Sequence, residues 1–323
     1  MLPFPRNRQK LIRTHRPIGN RAFQGFPGDD IQTVPRFIPT LPTPPTPMKI
    51  HFLCPRWGSE SLSPEEFLRR VVASGYDGVE VHLGDTDPEG EEIVAGARDL
   101  GMPIVLQHAM TMDRDLALHI PLYTKRLRRL AGLKPLFINT QSGRDLFTLG
   151  ENLRVFDAAS GVETETGIPL LHETHRARCL HTPWRTSELL RARPATRLAL
   201  DLSHWCNVCE SLLGDQEDLI TPILPAVGHI HARVGWAQGP QVNDPRAPEW
   251  SEAVEAHLKW WDRIIADRRA GGVSSFTITP EFGPPPYLPV LPHTCEPVSD
   301  QWAINIHMMD LLRARYAEPQ PRR

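Results

Sequence analysis

A chain of 323 residues, 40% hydrophobic and 23% charged, can bury a sizeable core and need not divide into two domains. Its formal net charge of -2 supplies no overall basic field of the kind that gathers nucleic acid, and no run of about 18 uncharged apolar residues reads as a membrane span. Five cysteines are an odd number in a chain large enough to fold without disulfides, so reduced thiols and a cytoplasmic location are expected.

Residues 1–47 are dense in proline and arginine and hold no sustained period of 2 or 3.6, so they are expected to be a flexible extension or an over-long start ahead of Met48. Their prolines argue against the amphipathic helix of an organelle transit peptide. From Met48 the pattern becomes regular, and one domain is expected over 48–316, followed by a polar tail at 317–323. The first apolar run is MKIHFLCP. In SPEEFLRRVVASGY, Ser63 can cap a helix, Pro64 suits its first turn and Glu66 completes a capping box, with Phe67, Val71 and Val72 on one face.

Further strands are expected near 77–83, 103–109, 135–141, 168–175, 196–203, 228–234 and 275–282. The clearest helix lies at 251–268, where Ala253, His257, Trp260, Trp261, Ile264 and Ile265 form a stripe that packs on a core. Eight strand-helix units in about 270 residues predict a (β/α)8 TIM barrel, since open doubly wound sheets usually have fewer strands. Cys206 and Cys209 form a CxxC, but without a second such pair it reads as two cysteines at the start of a helix.

In such a barrel the active site is built from the C-terminal strand ends. Strands five to eight supply Glu173 in LLHETHR, Asp201 in LDLSHW, His231 in HIHARVG and Glu281 in TPEFGP. One acid at a strand end is ordinarily a loop residue; four such groups on successive strands are a pattern. Crowded carboxylates repel and raise one another's pKa unless a cation sits among them, so a single divalent metal is the economical explanation. Three oxygens and one nitrogen suit Mn²⁺, Mg²⁺ or Co²⁺, while the set alone leaves Zn²⁺ open. His204, three residues past Asp201, is placed over a ligand.

The order and spacing of E…DxxH…H…E at these strand tips resemble the xylose-isomerase-like TIM barrel superfamily, with its sugar isomerases, ketose 3-epimerases, inosose dehydratases and apurinic endonucleases. The resemblance covers roughly 48–316. It implies that Glu173, Asp201, His231 and Glu281 bind one divalent ion, Mn²⁺ foremost, that Glu173 and Glu281 are the acid/base pair, and that His204 hydrogen-bonds a substrate oxygen. The epimerases carry an arginine several residues past the strand-seven histidine, where this chain has Ala237; Arg233 stands closer and could take a substrate oxygen or phosphate, or pair with a neighbouring loop. His229 shares the parity of His231 one layer deeper and reads as a supporting or core histidine.

His82, Gln107 and His108 close strands two and three, where the endonuclease branch draws ligands for further metals. That branch also needs an Asp-x-His pair, whereas NDPRAP offers Asp244 and Arg246 without the histidine. Trp57, Trp205, Trp236 and Tyr287 fall just past strand ends, where flat rings could stack on a sugar; His108, Trp57 and Trp236 join His204 and Arg233 as expected substrate contacts.

The leading expectation is a divalent-metal-dependent isomerase or epimerase that removes a proton next to the carbonyl of a sugar or sugar phosphate, through a metal-stabilised enediolate. Alternatives are a lyase or dehydratase on a keto-sugar or keto-inositol using the same site, a non-catalytic binding protein on the same barrel and, weakest, an apurinic-endonuclease-like phosphodiesterase. The expected partner is the small-molecule substrate, with no membrane or nucleic acid; self-assembly into a homo-oligomer stays open.

Overall fold

Eight parallel strands, each hydrogen-bonded to the next and the last to the first, close a barrel in the computed structural model, which describes residues 48–317. The expected extension over 1–47, and all but the first residue of the expected tail, lie outside the described residues. The elements run β1 (Lys49–Pro55), α1 (Pro64–Ala73), β2 (Gly78–His82), α2 (Pro88–Asp99), β3 (Ile104–His108), α3 (Leu116–Gly132), β4 (Phe137–Thr140) and α4 (Leu149–Thr166). Then follow β5 (Leu170–Glu173), α5 (Pro183–Ala192), β6 (Leu198–Leu200), α6 (Leu202–Val208), α7 (Glu217–Ile220), β7 (Val227–His231), α8 (Ser251–Ala270), β8 (Ser275–Thr279) and α9 (Gln301–Arg315). None of the described helices is long and apolar enough to cross a membrane.

The local signals act as their chemistry requires. Ser63 Oγ accepts the Glu66 amide at 3.3 Å while Glu66 Oε2 accepts the Ser63 amide at 3.1 Å, closing the capping box of α1. The buried face of α1 is Phe67, Leu68 and Val71; Val72, expected beside them, is 52% exposed because it turns past the edge of the stripe. All six stripe residues of α8 are buried. Cys206 and Cys209 are free thiols, at the end of α6 and its C-cap, rather than at a helix start.

Two distinct layers fill the barrel. Leu53, Val105, Phe137, Leu171 and Ala199 form an apolar cluster separate from the larger core between strands and helices. Polar residues lie on β2 to β5, among them Glu80, Gln107, Asn139 and Glu173, buried and hydrogen-bonded to one another: Asn139 donates to Glu80 and Glu173, and Gln107 to Glu173. An apolar floor beneath a polar upper layer fixes the chemistry at the C-terminal strand ends.

Candidate active site

Each proposed site residue owes its place to how its strand stops. β6 ends at Leu200, so Asp201 becomes the N-cap of α6: its Oδ1 accepts the Ser203 amide at 2.9 Å and the Ser203 hydroxyl at 2.5 Å. Glu173 is the last residue of β5, and its carboxylate accepts amide protons from Gln141 at 3.3 Å, Asn139 at 3.3 Å and Gln107 at 3.5 Å. Glu281 follows β8 by two residues, and Gln107 Nε2 also donates to its Oε1 at 2.9 Å, so one amide spans both glutamates. His231 ends β7 with Nδ1 2.9 Å from Glu281 Oε2 and 3.9 Å from Glu173 Oε1. Ligand-capable atoms of Glu173, Asp201, His231 and Glu281 all lie within 4.8 Å of one another, and the four residues are buried.

The two nitrogens of His231 have different surroundings. Nε2 is 3.0 Å from Glu80 Oε1 and 3.0 Å from Asn139 Nδ2. Glu80 is itself secured by the Thr279 hydroxyl at 2.5 Å and by His229 Nε2 at 3.2 Å. Nδ1 is buried, with Glu281 Oε2 2.9 Å away. Were a cation to displace the proton on Nδ1, Nε2–H would stay donated to Glu80 and the Nδ1 lone pair would face the carboxylates, the arrangement by which a second carboxylate orients a metal-binding imidazole. Glu173, Asp201, His231 and Glu281 could together hold a metal ion.

Electrostatics separate the two glutamates. Burial raises Glu173 to about 7, His231 and Arg233 oppose the rise, and Glu281 and Asp201 add to it. At Glu281 burial also favours the neutral acid, but the charge and proximity of His231, helped by Arg233, hold the carboxyl below its usual range. Burial works against an imidazolium at His231, yet Glu281 and Glu80 outweigh it and raise the ring's pKa.

Arg233, two residues past β7, is 1% exposed and serves neither as a solvent-facing residue nor as a surface salt bridge. Its Nη2 contacts Asp201 Oδ2 and lies 2.9 Å from His204 Nε2 and 3.5 Å from Glu281 Oε2. Its Nε donates to Ser203 Oγ at 3.1 Å. Gly235 permits this geometry: a Cβ there would stand 2.6 Å from Ser203 Cα, so only glycine lets the loop after β7 press against α6. His204 sits behind the guanidinium, fully buried, its ring centroid 3.8 Å from that of His175.

Above the cluster opens a cavity of about 380 Å³, the size of a small-ligand site. Glu173, Glu281, Gln107 and Gln141 line it with Arg233 and His175, and Trp57 and Tyr287 meet edge to face at 4.9 Å on its wall. A Cβ on Gly283 would fall 2.2 Å from Trp57 Cη2, so that glycine makes room for the indole.

Several expected contacts lie elsewhere. His108 follows Gln107 on β3 and therefore faces the opposite side of the sheet, where it bonds Thr111 at 2.9 Å and packs on Tyr123. His204 does not line the cavity, because Arg233 stands in front of it. Trp236 packs on Trp250 at 5.1 Å, outside the cavity lining. Trp205 is carried into the core by α6, with its indole N–H donated to Leu180 O at 2.9 Å. Asp244 is paired with Arg246 within its own loop. Conversely, Glu80, Asn139, Gln141 and His175 belong to the site without having been singled out. Glu80 had a signal, a charged side chain between two valines inside a strand.

No protein-family model and no curated protein matches the chain. Solved structures do. The probable 3-DHS dehydratase of petrobactin synthesis from Bacillus anthracis is 17% identical over 82% of this chain and 98% of that one, with a TM-score of 0.53. The D-allulose 3-epimerase from Methylomonas sp., solved with D-allulose, is 12% identical over 84% and 99%, with a TM-score of 0.54. A xylose isomerase-like TIM barrel protein from Mycobacterium smegmatis, solved with magnesium, is 12% identical over 83% and 98%, with a TM-score of 0.50. At these identities the likeness shows the shared (β/α)8 barrel fold.

Proposed function

We propose that this barrel is a divalent-metal-dependent isomerase or epimerase that moves a proton at the carbon next to the carbonyl of a sugar or sugar phosphate. The observation that carries the reading is the pair Glu173 and Glu281, both lining one cavity and both held by Gln107, with ligand atoms of His231 and Asp201 within 4.8 Å of theirs. An epimerase and a dehydratase stand among barrels of the same fold, which supports sugar-modifying catalysis.

Glu173, Asp201, His231 and Glu281 would hold the ion, with Mn²⁺ preferred on donor type. When bound, it would polarise the carbonyl and favour charge on its oxygen. The residues do the rest. Trp57 and Tyr287 offer flat faces on which a sugar ring can rest. One glutamate takes the proton, the C–H electron pair passing into an enediolate, and the other returns a proton to the opposite face. Gln107 keeps both carboxyls aimed at the cavity, and their different proton affinities suit opposite roles. Burial of the site strengthens every such interaction by excluding water.

The same proton removal followed by loss of a β-leaving group would make the enzyme a lyase or dehydratase. Incubating the metal-loaded full chain with a panel of keto-sugars and sugar phosphates in deuterated water separates the two. Solvent deuterium at one carbon of an unfragmented sugar supports isomerisation or epimerisation, whereas product lighter by water or an aglycone supports elimination. No exchange with any substrate counts against both.

A further inference from the structure

We infer that Arg233 is the anion-recognising residue of the cavity and also a built-in competitor of the metal, so that an oxyanion on the substrate and a divalent ion bind cooperatively. The inference rests on the metal site proposed above. Two of its four donors already face a positive charge: Arg233 Nη2 contacts Asp201 Oδ2 and lies 3.5 Å from Glu281 Oε2. Hard divalent ions take oxygen ligands at roughly 2.0–2.6 Å, so an ion shared by Asp201 and Glu281 would stand within a few ångströms of the guanidinium. At that range, among side chains at most 4% exposed, like charges repel with little screening.

Arg233 has an alternative place to put its charge. It lines the cavity, and the rings of Tyr287 and Trp57 lie 4.9 and 5.8 Å from its guanidinium carbon, a setting in which a cation can turn without losing its aromatic neighbours. Its remaining bonds are to Ser203 Oγ at 3.1 Å, the Glu281 carbonyl at 3.3 Å and His204 Nε2 at 2.9 Å, none of them a carboxylate. Arg56, the other arginine lining the cavity, is already tied to Asp87 at 2.9 Å. A planar fork of N–H donors suits a carboxylate or phosphate group in two-point contact. An oxyanion in the cavity would give Arg233 the negative charge that the metal takes from it, and the ion would give Asp201 and Glu281 the positive charge that Arg233 withdraws. Each ligand then tightens the other by the same factor.

The test follows free Mn²⁺ by electron paramagnetic resonance during titration of the full chain as wild type, Arg233→Gln and Arg233→Lys, alone and with sulfate or acetate. Arg233→Gln is expected to bind Mn²⁺ at least tenfold more tightly than wild type without added anion, and Arg233→Lys to stay near wild type. An added anion is expected to tighten wild type and leave Arg233→Gln unmoved; a response to sulfate marks a phosphate-bearing substrate and one to acetate a carboxylate. Equal or weaker binding by folded Arg233→Gln overturns the competition, and wild-type affinity indifferent to both anions overturns the recognition. If Arg233→Gln fails to fold by circular dichroism, the wild-type anion response alone decides. Absence of saturable Mn²⁺ binding in every folded protein means instead that the metal reading itself has failed, and this inference with it.

Discussion

His231 Nε2 lies 3.0 Å from Glu80 Oε1, a contact between β7 and β2 across the barrel interior. Glu80 is thereby the acceptor that would keep the Nε2 proton in place when a metal takes Nδ1. Glu80→Gln is expected to weaken metal binding about 10–100-fold, the usual effect of losing such a supporting carboxylate. Isothermal titration with Mn²⁺ reads this directly, and unchanged affinity would remove Glu80 from the site. Glu80→Ala should also lower stability by roughly 3–5 kcal/mol, because it leaves buried polar partners unpaired.

Elemental mass spectrometry of the purified protein should find about one divalent ion per chain, lost in a Glu173→Gln, Glu281→Gln double variant. Both changes keep the side-chain shape and remove two of the three carboxylate charges that pay for desolvating an ion. Retention of stoichiometric metal by the double variant would place the ion elsewhere.

Single Gln variants of the glutamates test the chemistry itself. Glu281→Gln should lower turnover by at least about 10²-fold, the lower end for a lost acid/base group, while the melting temperature moves by only a few degrees. Activity assays and thermal melts together make the check, since a collapsed barrel would lose both. A fully active variant would exclude Glu281 as base.

His108 predicts an acid sensitivity unrelated to catalysis. Burial, then the nearby Arg126 and His82, lower its pKa to about 3 from the ordinary 6.5. Between those values the unfolded chain binds a proton that the folded chain refuses, so stability falls as pH drops through the window and is indifferent to this ring above it. The slope is about 1.4 kcal/mol per pH unit for one proton. Urea unfolding between pH 6 and 4, roughly inside that window, should show a shallower loss in His108→Asn than in wild type; equal slopes would mean the ring is not held neutral.

The alternation of apolar runs and capped amphipathic stretches by itself determined the barrel, because strand period, helix period and capping boxes are local properties that each segment carries alone. It also named Glu173, Asp201, His231 and Glu281, since a polar group closing an apolar strand is visible without coordinates. Tertiary structure decided the rest. Closure brings β2 opposite β7, so Glu80 meets His231 across 151 positions of chain that no local pattern links. Strand parity sends Gln107 inward and His108 outward, a choice that depends on pairing register as well as composition. The turn of α6 hides Trp205 and places His204 behind Arg233. Arg233 itself was legible only as a charge near a strand end; that it holds Asp201 and approaches Glu281 follows from β6, β7 and β8 converging at one mouth, where long-range packing brings opposite charges into contact.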